Sequence, residues 1–289
     1  MSWETIDYVV EDGIAVATFN RPDRMNTFSA QVMLDMIALF DRTDADDAVK
    51  AVIVTGSGRA FCAGADLGRG GDTFDHTKRD AGLEIIHEGV RRDGGGRVSL
   101  RIFDSLKPVI AAVNGAAVGV GATMQLPMDA RLASTTARFG FVFSRRGITP
   151  EAASSWFLPR LVGVPTALEW CYSGRVFGAE EAHAKGLVQS LHGPDELLPA
   201  AKALAHQMTD ESAPVSIALS RQLIWRMMGA GHPMDAHGVD SRAIQSRGLS
   251  NDVREGIASF SEKRPAQYPD RVSADLPDVW TGREAPAFR

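Results

Sequence analysis

Val109-Ile110-Ala111-Ala112-Val113-Asn114-Gly115-Ala116-Ala117-Val118-Gly119-Val120-Gly121 is an apolar run of five residues followed by a stretch made almost entirely of small ones. A run with no polar position in it reads as a strand buried on both faces. Gly119 to Leu126 then reads as a helix and Ala130 to Ser134 as the next strand. A similar order precedes it. Ile6 to Val10 and Ile14 to Phe19, separated by Asp12-Gly13, predict a hairpin, and Asn20-Arg21-Pro22 stops its second strand. Met33, Met36, Ile37 and Phe40 recur at helical spacing over 29–42, and Ala51 to Thr55 is again a buried strand. Strands alternating with helices place the chain in the α/β class.

From Pro194 onward the strand patterns stop. Helical periodicity takes over at about 195–208, 213–227, 234–247 and 251–263, and the tail after Lys263 has none. The expected organisation is an α/β core over 1–193, a helical region over 194–265, and an extended or frayed tail over 266–289. Between Gly68 and Gly96 the composition shifts to Gly, Arg and His, with a weak apolar pattern around Leu83, Ile85 and Ile86. This stretch reads as a long functional or mobile loop with a partial helix.

Composition narrows the function. The 289 residues are 44% hydrophobic and 23% charged, enough apolar side chains for a sizeable core. With 31 Lys and Arg against 36 Asp and Glu the net charge is −5, which argues against an extended nucleic-acid surface. No apolar stretch approaches the ~20 residues that span a bilayer. Two cysteines without C-x-x-C spacing and an N-terminus without a basic or apolar leader predict a reduced, cytoplasmic protein. The motifs G-x-x-x-x-G-K-[ST], H-E-x-x-H and G-x-S-x-G are absent, and the seven histidines show no metal-ligand spacing, so neither a metal nor a cofactor is expected. Gly119-Val120-Gly121 begins like a dinucleotide fingerprint, but Met124 stands where the third glycine belongs.

Two segments place small residues directly after apolar strands: Ala60 to Leu67 and Val113 to Gly121. Small residues of this kind permit tight turns and close packing in any fold. They also let two backbone N–H groups converge on one ligand oxygen, the second of them at a helix N-terminus, which would make an oxyanion hole.

These segments, taken in order with Asn20-Arg21-Pro22 and Asn26, Phe61 to Leu67, Pro108 to Gly115, Asp129-Ala130-Arg131, Phe139-Gly140 and Phe260 to Arg264, resemble the crotonase, or enoyl-CoA hydratase/isomerase, superfamily. The resemblance runs from Ile14 through the α/β part and more loosely through the helical end. It implies a spiral of ββα units, a trimer or hexamer built through the helical region, and an acyl-CoA thioester as substrate, with coenzyme A part of that substrate. Carried over by position, the oxyanion donors are the amides of Ala65 and Val120, the latter replacing a common Gly. Ala63, Ala65, Asp66 and Leu67 lie along the CoA ester, and Arg24 and Lys263 are candidates for its phosphates. Arg24 also reads as an ordinary solvated arginine and Lys263 as a helix-ending cation. Asp66 reads as a loop-fixing hydrogen-bond acceptor rather than a base. His76, Glu84 and His87 are further acyl-pocket candidates.

The two glutamates of the family's hydratases match Thr123 and Phe143, neither of which can act as a carboxylate base. Glu151 remains, in Thr149-Pro150-Glu151. Read locally, Thr149 is an N-cap, Pro150 the first helical residue and Glu151 an acid in the first turn. Read by resemblance, Glu151 is the single base of the Δ3,Δ2-enoyl-CoA isomerases, which moves a proton from C2 to C4. Enoyl-CoA hydration is the runner-up. A silent member that binds acyl-CoA or RNA is disfavoured by the retained Glu151 and the negative charge.

Overall fold

The computed structural model describes residues 3–68, 70–75, 86–282 and 286–288. Strands β1 (Ile6–Glu11) and β2 (Ile14–Phe19) form the expected antiparallel hairpin, and Ser29 caps helix α1 (Ala30–Ala45) by accepting from the Val32 amide. Then follow β3 (Ala51–Gly56) and β4 (Ala60–Cys62), the small hairpin β5 (Ile86–His87) and β6 (Val90–Arg91), and α2 (Gly94–Phe103). The next units are β7 (Val109–Val113), β8 (Ala116–Val118), α3 (Val120–Thr123), β9 (Ala130–Ser134) and β10 (Arg138–Gly140). After them come α4 (Ser154–Val162), α5 (Val164–Ser173), β11 (Val176–Gly178), α6 (Ala179–Ala184) and β12 (Ser190–His192). The chain ends in α7 (Leu197–Thr209), α8 (Pro214–Met227), α9 (Pro233–Arg247), α10 (Asn251–Glu262) and α11 (Val272–Asp275).

One sheet has the order β1-β2-β3-β7-β9-β12 and a second the order β11-β10-β8-β4. Three times a strand of the first sheet is followed at once by a strand of the second: β3 by β4, β7 by β8, β9 by β10. That rhythm is a spiral of paired strands. Side chains of β3 alternate between the two faces, as period-two geometry requires. Val52 and Val54 join Phe19, Phe40 and Phe61 in the main core, while Ala51 and Ile53 pack with Leu197 and Ala201 of α7. Burial on both faces explains the uninterrupted apolar runs.

One expectation changes and two others are narrowed. The helix at 119–126 is a single turn, Val120–Thr123, followed by turns. The stretch from 68 to 96 contains the β5–β6 hairpin and the start of α2; Leu83 and Ile85 lie outside the described residues. Of the two alternatives for the tail, its described residues take the one extended along a surface. Val272 and Val279 are buried with Val215, Leu219 and Val239, and the Ser273 amide donates to Asp47.

Candidate active site

Strands β4 and β8 run parallel with Cys62 opposite Ala117, so the residues three beyond each, Ala65 and Val120, emerge side by side from the same end of the sheet. Close approach is built in. A β-carbon on Gly121 would overlap the Cys62 carbonyl, one on Gly64 would lie 3.0 Å from the Val118 carbonyl, and Gly64 and Gly119 both hold positive φ, 105° and 56°. Side chains there would push the two loops apart. Ala65 bridges to Phe28 through its neighbours, since Phe28 donates to the Gly64 carbonyl and Asp66 donates to the Phe28 carbonyl. The Ala65 N–H takes no part in that bridge. Asn26, at φ 54°, holds this loop by donating to the Ser57 and Ala60 carbonyls.

Both residues border a cavity of about 370 Å³ whose wall is mostly apolar, with Phe28, Phe74, Val142 and Phe143 among its lining. Ala63, Ala65, Leu67, Val120 and Glu151 line it too; Arg24, Asp66 and Lys263 do not. Asp66 instead holds the rim, accepting from the Gly68 amide and pairing with Arg21 at 3.6 Å and Arg24 at 3.5 Å. The Gly68 bond, with the two arginines, keeps its carboxyl below the ordinary range. Lys263 ends α10 in the left-handed conformation. His87 is exposed beside Glu88, and His76 and Glu84 lie outside the described residues.

The helix-start reading of Thr149-Pro150-Glu151 does not hold. Helix α4 begins three residues later, at Ser154, after Ala152 and Ala153 have both turned through positive φ, 58° and 54°. Alanine pays a steric cost in that region, and such positions persist where the surroundings over-determine them, often beside functional groups. The turn carries Glu151 to the cavity wall, where Thr123 Oγ1 donates to Oε1 at 2.6 Å. The other oxygen, Oε2, lies against Gly95, whose missing β-carbon would overlap it and sit 3.1 Å from Val120 Cγ2. Glu151 therefore adjoins Val120 across one glycine. Burial in the cavity wall, followed by the charge of Asp93, pushes its carboxyl up to about 8, against the Thr123 bond, which pulls it down.

Two participants were not singled out in the sequence, Asp93 and the Thr123 hydroxyl. Asp93 is the N-cap of α2, and Asp followed by Val98 and Ile102 four residues apart was a usable helix-start signal. Gly94-Gly95-Gly96 obscured it, because glycine is a poor helix former. Arg146 supplies a cationic side chain to the cavity lining. Among the described residues no three metal-ligating side chains gather, and no helix is long and apolar enough to cross a membrane.

Comparison with known proteins points the same way as this geometry. The chain is 39% identical over 262 residues to enoyl-CoA hydratase AFT3-1 of Alternaria alternata, covering 90% of this chain and 84% of that protein. It is 31% identical to 1,2-epoxyphenylacetyl-CoA isomerase of Escherichia coli, covering 90% and 96%. The solved structure of enoyl-CoA hydratase from Bacillus anthracis superposes with a TM-score of 0.81 at 26% identity, covering 92% and 99%. Residues 10–271 match the family model described as enoyl-CoA hydratase/isomerase, and with paired strand ends that bring Ala65 and Val120 to one apolar cavity, the chain belongs to that family of enzymes.

Proposed function

We propose that the protein shifts the double bond of a 3-enoyl-CoA to the conjugated 2-position, with Glu151 carrying the proton. The observation that bears most weight is Glu151 at the wall beside Val120, while Thr123 and Phe143 stand where the family resemblance puts the hydratase glutamates. The thioester oxygen would accept from the N–H groups of Ala65 and Val120. Ionised Glu151 takes a proton from C2, the C2–H electron pair forms a C1–C2 double bond, and the carbonyl π pair moves onto the oxygen held by the two amides, leaving C3–C4 intact in a dienolate. Glu151 then returns the same proton to C4: the carbonyl re-forms, the C1–C2 π pair becomes the C2–C3 double bond and the C3–C4 π pair takes the proton. Arg24 and Lys263 would meet the CoA phosphates, the assembly would be a trimer or hexamer, and the unpaired Cys62 and Cys171 suit a reducing cytoplasm.

Hydration of a 2-enoyl-CoA is the second reading. It is favoured by the Asp93 carboxyl in the same cavity and by a Glu151 that is mostly protonated near neutrality, as an acid for C2 would be. One experiment separates them. Purified protein given 3-enoyl-CoA should develop enoyl-thioester absorbance, and Glu151→Gln should lower that rate by ~10²–10⁴-fold while CoA-ester binding persists. Brisk hydration of 2-enoyl-CoA with no isomerisation would replace the first reading by the second.

A further inference from the structure

Three backbone N–H groups hold Asp93. Its Oδ1 accepts from Gly95 at 3.0 Å, and its Oδ2 accepts from Gly96 at 2.7 Å and from Ala152 at 2.9 Å. The first two bonds cap α2; the third ties that cap to the residue after Glu151, across 59 positions of sequence. Asp93 is thus fixed by two elements at once. Its carboxyl lines the same cavity as that of Glu151, and its Oδ1 accepts from Gly95, against which Glu151 Oε2 lies, so after burial the charge of Asp93 helps raise the Glu151 carboxyl. The oxygens of Asp93 are taken up by three N–H donors, while burial raises the Glu151 carboxyl, so of the two it is Glu151 that holds a proton near neutrality.

The other groups around Glu151 do not compete for that role. Thr123 of α3 is a neutral donor to Oε1, and the Cys62 thiol of β4 is fully buried and pushed up to about 12, chiefly by burial, so it stays neutral. Arg146 lies on the cavity wall, and Asp66 at the rim is paired with Arg21 and Arg24. An Asp93 whose oxygens are occupied by backbone donors is also poorly placed to activate water.

We propose that Asp93 is the positioning residue of this site, an anchored carboxylate that holds the proton on Glu151 between turnovers and fixes the direction of Glu151 Oε2. This rests on Glu151 being the proton carrier. With Asp93 neutralised, burial still acts on Glu151, so its titration would fall only part of the way from about 8 toward its ordinary 4.5.

The test is a carboxyl titration followed by ¹³C NMR, with the Glu151 resonance identified by its absence in Glu151→Gln. Asp93→Asn keeps the size, and Asp93→Ser keeps a helix cap without the charge. The Glu151 midpoint should fall by about one pH unit or more in both, and the pH profile of kcat/KM for isomerisation should move with it. In the wild type the Asp93 resonance should show an inflection at the Glu151 midpoint, which tests the pair even if neither variant folds. An unchanged midpoint in a folded variant, or no shared inflection, overturns the role of Asp93. Isomerisation that survives Glu151→Gln while the two carboxyls still titrate together would instead remove Glu151 from the chemistry and leave the pair standing.

Discussion

Gly95 and Glu151 share one space: the position a β-carbon would take on Gly95 is occupied by Oε2 of Glu151. Gly95 is not among the residues with positive φ, so no backbone demand explains the glycine there. Its reason is the carboxyl beside it.

Gly95→Ala should therefore separate stability from activity. Alanine is the better helix former by ~0.5–1 kcal/mol, so Tm should hold or rise. Glu151 must swing away from Val120, and a displacement of this kind near the reacting atoms lowers turnover by roughly 10²-fold. Unchanged kcat would mean that the Glu151 position is not critical.

Thr123→Val removes the hydroxyl that donates to Glu151 Oε1 at 2.6 Å while keeping the shape. That bond favours the ionised form, so its loss should raise the Glu151 titration above about 8 and shift the alkaline rise of kcat/KM to higher pH. Activity at neutral pH should drop several-fold and recover in part at pH 9. A uniform loss across the pH range would contradict this.

Glu151 also makes stability depend on pH. Its carboxyl is raised from 4.5 in the unfolded chain to about 8 in the folded one, so the folded state binds the extra proton. The sign follows: the contribution is fully present below pH 4.5 and is lost as pH rises through about 8. The change is on the order of 5 kcal/mol. Glu151→Gln should thus melt higher than the wild type at pH 9 and little differently at pH 5, measured by calorimetry. Equal melting differences at both pH values would count against the raised titration.

Exposed apolar side chains along α10, with Phe260 at 86% and Ile257 at 64%, suit burial against another copy better than contact with water. Sedimentation should give a trimer or hexamer, and Phe260→Glu should shift it toward smaller species. A wild-type monomer at micromolar concentration would refute the assembly.

The amide of Ala65 is the remaining target. Ala65→Pro removes the N–H and should lower turnover by ~10²–10³-fold in a protein that still folds. Near-normal turnover would place the thioester oxygen elsewhere.

What was legible in the sequence was local or long-patterned. β2, α1, β3, β7 and β9 lie where apolar periodicity puts them, because each buries its own regular set of side chains in the core. The spiral and the pair Ala65 and Val120 were legible through the ordered motifs of the family. The strands of the second sheet, mostly three residues long, carry too few alternations to be read, and only their pairing with one another defines them. Glu151 was legible as a residue but misplaced as a helix start, because Thr149-Pro150 satisfies the local rule while packing forces Ala152 and Ala153 through positive φ. The Asp93–Glu151 pair belongs to tertiary structure alone. No local preference links a helix cap to a loop 59 positions away, and the two carboxyls come to one cavity only because α2 and the loop before α4 pack against it.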